Sequence, residues 1–92
     1  MRATWNGVTL AESGETVVVD GNHYFPASSL RMEYFERSKT TSVCGWKGKA
    51  SYYSVRAGGS TNRDCAWCYE DPNEAAEKIR GMVAFWNGVT VE

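Results

Sequence analysis

Ninety-two residues make one small domain, residues 1–92, near the lower end of sizes that bury a self-sufficient core. Ten Lys and Arg against eleven Asp and Glu leave a net charge of −1 without any long run of like charge, which argues against nucleic-acid binding. No stretch approaches the roughly 18 apolar residues of a membrane span, so no membrane association is expected.

The start of the chain lacks a signal-peptide pattern, and three Cys, an odd count, read as reduced thiols; a cytoplasmic location is expected. Aliphatic residues are few, with nine Val, two Leu and one Ile. Four Trp, five Tyr and three Phe must supply much of the core instead, each burying roughly 150–250 Å².

Trp5-Asn6-Gly7-Val8-Thr9 opens the chain and recurs as Trp86-Asn87-Gly88-Val89-Thr90 near its end. Asn-Gly between β-prone residues signals a tight hairpin, because both central positions of a type I′ turn need positive φ. Two matching pentapeptides are too few for a repeat architecture; similar hairpins using similar turn chemistry is the simpler account. Val8 to Glu12 reads as strand, Ser13-Gly14-Glu15 as turn, and Thr16 to Asp20 as a second, β-branched strand. Gly21-Asn22 turns again into His23-Tyr24-Phe25. Ser28 or Ser29 is placed to cap a short helix over residues 30–36. Thr40 to Cys44 and Lys49 to Val55 read as strands around a Gly45–Gly48 corner. Gly58-Gly59 then leads into a strand from Cys65 to Tyr69.

The pattern predicts its clearest helix over residues 72–80. Asp71 is placed as N-cap, Pro72 suits the first helical position, Glu74 completes a capping box, and Gly81 is placed to end the helix in a left-handed conformation. The fold class is therefore mainly β (α+β), a small domain of bent antiparallel hairpins with one short C-terminal helix; by fold-level analogy the sheets resemble a coiled β-tent.

Metal and catalytic motifs are weak. Cys65-Ala66-Trp67-Cys68 is a C-x-x-C, and Cys44 with His23 would complete a Cys₃His set, yet structural zinc usually needs two well-spaced pairs. In a regular strand Cys65 and Cys68 would also point to opposite faces. No metal and no cofactor are expected. No nucleophile elbow surrounds Ser13, Ser38 or Ser51, and the single His lies within an apparent strand. No enzymatic activity is assigned from these residues.

Cys44-Gly45-Trp46-Lys47-Gly48-Lys49-Ala50-Ser51-Tyr52-Tyr53 is the most informative stretch. With Leu10-Ala11-Glu12-Ser13, Tyr24-Phe25-Pro26, Ser38 before a Thr pair, Ala66-Trp67 before Tyr69, Asp71-Pro72 and Val83-Ala84-Phe85, it resembles the domain of unknown function family 427 over nearly the whole chain. That resemblance implies a small bacterial domain and no established activity. A nucleotidyltransferase-like label, sometimes attached to the family, would need a Gly-Ser turn with two carboxylates one residue apart. Gly59-Ser60 is followed by Asp64 alone, and Glu70-Asp71 are adjacent, so the residues do not support it.

The matched segments carry a polar set: Glu12, Arg31, Ser38, Thr40, Cys44, Lys47 and Tyr52, with Trp46 in the corner. Lys47 and Arg31 would clamp a carboxylate or phosphate against an indole wall, Trp46 or Trp67, and Cys44 beside an ammonium would ionise more easily. The plainer reading makes Cys44 a small buried residue, Lys47 a cover for an indole, and Arg31 a partner of Glu12 or Glu33. Two functions fit: binding of a small anionic molecule around Lys47, or a protein-interaction module, such as a homodimer, using exposed aromatics.

Overall fold

Asn6 and Gly7 take φ of +51° and +76°, and the Trp5–Val8 turn they form closes the first hairpin. Its strands are β1 (Arg2–Trp5) and β2 (Val8–Glu12). Asp20 and Gly21, with φ of +52° and +78°, make the same turn between β3 (Val17–Val19) and β4 (Asn22–Tyr24). A computed structural model describes all residues, Met1–Glu92. Three further strands form a long meander: β5 (Phe35–Cys44), β6 (Gly48–Ala57) and β7 (Ser60–Cys68). Two short ones, β8 (Val83–Phe85) and β9 (Thr90–Val91), finish the chain.

All ladders between strands are antiparallel, and the sheets run β2-β1-β9, β3-β4 and β5-β6-β7-β8. The second Asn-Gly turn does not make a hairpin. Asn87 and Gly88 take positive φ, but β9 leaves β8 and pairs with β1. The two related pentapeptides thus share turn chemistry and serve different connections. No helix is long and apolar enough to cross a membrane.

Alternation along β6 builds the core. Val55 and Ala57, with Tyr53 packed against them, face a cluster containing Leu10, Phe25, Cys65 and Phe85. Ala50, with Tyr52 alongside, faces a second cluster with Tyr24, Tyr69, Ile79 and Ala84. The four-stranded sheet therefore carries apolar packing on both faces. Tyr24, Phe25, Leu10, Ile79 and Val55 are fully buried, and each stabilises the fold by roughly 1.5–3 kcal/mol through burial.

Neither expected helix forms as such. Over residues 30–36 the backbone has better partners in the sheets. Leu30 bridges Ala11, the Arg31 amide donates to the Leu10 carbonyl at 2.8 Å, and Phe35 begins β5 opposite Val55. Only 3₁₀ turns at Ala27–Ser29 and Met32–Tyr34 remain. At the second site a 3₁₀ stretch covers Glu74–Ile79, broken by Ala76 at φ −113°. Its N-cap is Asn73, without a side-chain cap bond, so Asp71 and Glu74 form no capping box. The cause is tethering at both ends. The Asn73 amide donates to the Lys47 carbonyl at 2.9 Å, and the Gly81 amide donates to the Tyr69 carbonyl at 3.0 Å. Gly81 does adopt the expected left-handed conformation, at φ +69°.

Two irregularities shape the meander. The β5–β6 register shifts between Arg37 and Thr41, and the β6–β7 register shifts between Tyr53 and Val55, where Asp64 sits at φ +55°. The second places Cys65 and Cys68 in one apolar cluster, against the opposite faces a regular strand would give them. The first lies on β5, the free edge of the four-stranded sheet, and puts Lys39 within an interruption that discourages strand addition.

Candidate functional site

Gly48 is the hinge of the β5–β6 corner. Its φ is +109°, and a Cβ there would lie 3.3 Å from the Asn73 amide nitrogen. Glycine is needed for both reasons. Gly45 is not comparable, since it has open space around it and lies outside the left-handed region. The Asn73 side-chain amide donates to the Trp46 carbonyl at 3.3 Å, so the corner is tied from outside.

This corner turns Lys47 inward, leaving its side chain 10% exposed. Its Nζ donates to Asp20 Oδ2 at 2.6 Å and lies 4.7 Å from the Trp46 ring centroid and 5.9 Å from that of Tyr69. Burial alone would depress the ammonium. Hydrogen bonds to Asp20 and the Cys44 thiol outweigh it, and the Lys47 pKa is raised. The Cys44 thiol is lowered, because the backbone amides of Lys47 and Trp46 donate toward it and outweigh partial desolvation.

Lys47 lines a cleft of about 230 Å³. Tyr24, Tyr52, Trp67, Tyr69 and Trp86 supply most of its lining, with the polar Asn22. Trp67 meets both Tyr24 and Trp86 edge-on, with centroids 6.2 and 6.5 Å away, and its indole N–H donates to the Tyr24 hydroxyl at 3.2 Å. Burial raises the pKa of both Tyr24 and Tyr69, keeping those hydroxyls protonated. The Tyr52 hydroxyl bonds Ser42 Oγ at 2.9 Å. The lining is therefore aromatic, with Trp67 nearly perpendicular to Tyr24 and Trp86, and is fixed by cross-bonds.

Of the sequence-selected set, Lys47 and Tyr52 line this cleft, while Cys44 and Trp46 sit beside Lys47 without lining it. Arg31 and Glu12 do not line the cleft. Arg31 is exposed beside β2, and Glu12 pairs with Arg2 at 2.9 Å, so Arg31 pairs with neither Lys47's cleft nor Glu12. Ser38 and Thr40 line a second, wholly polar cleft of about 320 Å³, shared with Glu36, Arg37, Ser54, Arg63 and Asp64. There Thr40 Oγ1 donates to Asp64 Oδ2 at 2.8 Å, and the Asp64 amide donates to Ser54 Oγ at 3.0 Å. Hydrogen bonds from Ser38 and Thr40 lower the Asp64 pKa.

Asp20 is the main omission. Read from sequence as the end of a strand before a Gly21-Asn22 turn, it is instead the first residue of an Asp20-Gly21 turn, and nothing local shows that this turn reaches the β5–β6 corner. Trp86 was hidden the same way, inside what read as hairpin punctuation.

No three His, Cys, Asp or Glu side chains converge as a metal site would require. His23 Nδ1 is 3.0 Å from Thr16 Oγ1, and burial pushes the Cys65 and Cys68 thiols up to about 11. Comparison with curated proteins finds no match. The family model described as Domain of unknown function (DUF427) matches residues 1–92, the whole chain, and the protein therefore belongs to that family.

Proposed function

We propose that the cleft around Lys47 binds a small molecule with a flat ring and an anionic group. The ring packs among the aromatic side chains that line the cleft, against one face and the edge of another, and the anion meets Lys47 Nζ in place of the Asp20 carboxylate. One observation carries this reading: a buried ammonium lines a largely aromatic cleft, and its counter-charge comes from Asp20, whose side chain is 56% exposed. Such an exposed carboxylate is readily displaced, whereas the ammonium is held by its burial and by the rigid corner. Cys44 borders Lys47 but faces no base, and binding alone accounts for the arrangement. The three free thiols suit a reducing, cytoplasmic setting.

The competing reading, a homodimer or other protein-contact module, has less support. The large exposed apolar side chains, Met1, Val18, Met32, Val43, Trp46 and Trp86, come from distant parts of the sequence, and Trp86 already lines the cleft.

Titration with benzoate, followed by tryptophan fluorescence and thermal melting, tests the proposal. The wild-type chain should show quenching and stabilisation that Lys47→Met removes while the fold remains intact. An unchanged benzoate response in Lys47→Met refutes it.

A further inference from the structure

The aromatic cleft and the polar cleft share one face of the four-stranded sheet. Tyr52 lines the first and Ser54 the second, and two residues along β6 separate them by only about 7 Å. Trp86 joins them from the other side. Its ring packs on Trp67, while its indole N–H donates to the Asp64 carbonyl at 2.6 Å. Ser42 continues the link, bonded to Tyr52 and two residues from Thr40.

The chemistry changes along this path. At the Lys47 end the walls are aromatic. At the Asp64 end they are hydroxyls, guanidinium groups and carboxylates, with no apolar side chain. Hydroxyls of Ser38, Thr40 and Ser54 both donate and accept, Asp64 and Glu36 accept, and Arg63 donates without an ion-pair partner of its own. Glu36 and Asp64 offset the charges of Arg37 and Arg63, so the cleft has no surplus positive charge to favour a dianion such as phosphate. A polyhydroxylated group satisfies the whole mixture, because each of its hydroxyls donates to one neighbour and accepts from another. The left-handed Asp64 matters here. A residue other than glycine at φ +55° within a strand is strained, and the bulge it makes turns its carboxylate toward Thr40.

We infer that the two clefts form one bipartite site for a glycoside-like molecule, a flat anionic ring joined to a sugar. The ring occupies the aromatic cleft and the sugar lies across Ser54 onto Thr40, Asp64 and Arg63. This rests on the ring-binding reading of the Lys47 cleft and adds the sugar subsite to it. An aryl glucoside and a nucleoside share the required chemistry.

The test uses the full chain, isotope-labelled for amide NMR, with calorimetry. Its probes are 4-hydroxybenzoate against its 4-O-β-D-glucoside, and orotate against orotidine. At least one sugar conjugate should bind tenfold or more tightly than its free ring. It should shift the amides of Thr40, Ser54 and Asp64, which the free ring leaves in place. The glucoside and nucleoside arms identify the sugar. Asp64→Asn and, independently, Arg63→Gln should reduce the conjugate toward the affinity of the free ring while leaving ring binding unchanged. Arg63→Gln guards against loss of the bulge in the first variant. If the rings bind and neither conjugate gains affinity or moves those amides, the sugar subsite is refuted and the Lys47 reading survives. If no probe perturbs the aromatic cleft, both fall.

Discussion

Lys47 Nζ and Asp20 Oδ2 lie 2.6 Å apart, but only the Lys47 side of the pair is buried. The ammonium is fixed by the corner and by the rings of Trp46 and Tyr69, whereas the carboxylate sits on a turn open to solvent. Removing Asp20 should therefore free the ammonium for another anion. Asp20→Asn is expected to tighten benzoate binding by up to about fivefold, since a half-exposed partner contributes at most about 1 kcal/mol. Calorimetric titration of both proteins decides this, and weaker binding in Asp20→Asn contradicts a displaceable carboxylate.

Gly48→Ala should destabilise the domain by about 1–3 kcal/mol. The substitution meets a left-handed φ and an Asn73 nitrogen 3.3 Å from the new Cβ. Gly45→Ala, with open space and no positive φ, should stay within about 0.5 kcal/mol of wild type. Denaturant midpoints of the two variants compare them directly, and equal losses contradict the assigned hinge.

The helix-cap pattern at residue 71 leads to a different expectation once the structure is known. Asp71 has a 94% exposed side chain and only a 3.2 Å ion pair with Arg80, so Asp71→Ala should cost less than about 0.5 kcal/mol. Asn73 ties its side chain to the corner, and Asn73→Ala should cost about 1 kcal/mol. A larger loss at Asp71 than at Asn73 would restore the capping box.

These contrasts mark what the chain discloses locally. Turn chemistry was legible: Asn6-Gly7 and Gly81 adopt the positive φ their sequence announces. The strands over Val8–Glu12 and Gly48–Ala57 were legible from β-branched and aromatic residues, whereas β7 already begins at Ser60, in a polar run before the Cys65 start expected from sequence. Helix signals at residues 30–36 and 72–80 were locally sound and were overridden by tethers to Leu10, Lys47 and Tyr69, contacts distant in sequence. The same distance hid Asp20 from Lys47 and Asp64 from Thr40. Arg31 shows the converse: its segment matches the family pattern, yet its backbone amide is what the fold uses.

Alkaline stability should reflect the two buried thiols. Burial raises Cys65 and Cys68 from 9.0 to about 11, so the unfolded chain loses these protons first as pH rises. Their contribution is complete below about pH 9 and is lost as pH climbs toward about 11. Cys68→Ala should flatten part of that decline, and thiol alkylation at pH 8 should select Cys44, whose pKa is lowered by the Lys47 and Trp46 amides. Modification of Cys65 or Cys68 ahead of Cys44 contradicts the burial argument.

Acid should act through the opposite sign, and Asp64 is the residue that reports it. Hydrogen bonds from Ser38 and Thr40 hold its carboxyl below the ordinary 3.8, and Arg37 holds Glu70 below 4.5. Each folded carboxyl binds its proton less readily than its unfolded counterpart, so stability is complete above those ordinary values and falls as pH drops through the lower, folded ones. The loss should begin near pH 4.5 and continue below it. Asparagine tolerates the left-handed φ of +55° and keeps an oxygen for the Thr40 hydroxyl, so Asp64→Asn should preserve the bulge. Its unfolding free energy should therefore decline less steeply with acid than that of wild type, and Thr40→Val should produce a similar flattening by removing the donor. Glu70→Gln should act independently of both, since Glu70 answers to Arg37 on another hydrogen-bonded pair. Parallel acid profiles for wild type and Asp64→Asn would mean that the Thr40–Asp64 bond does not hold the carboxylate, and that the polar cleft lacks the fixed acceptor on which the sugar subsite depends.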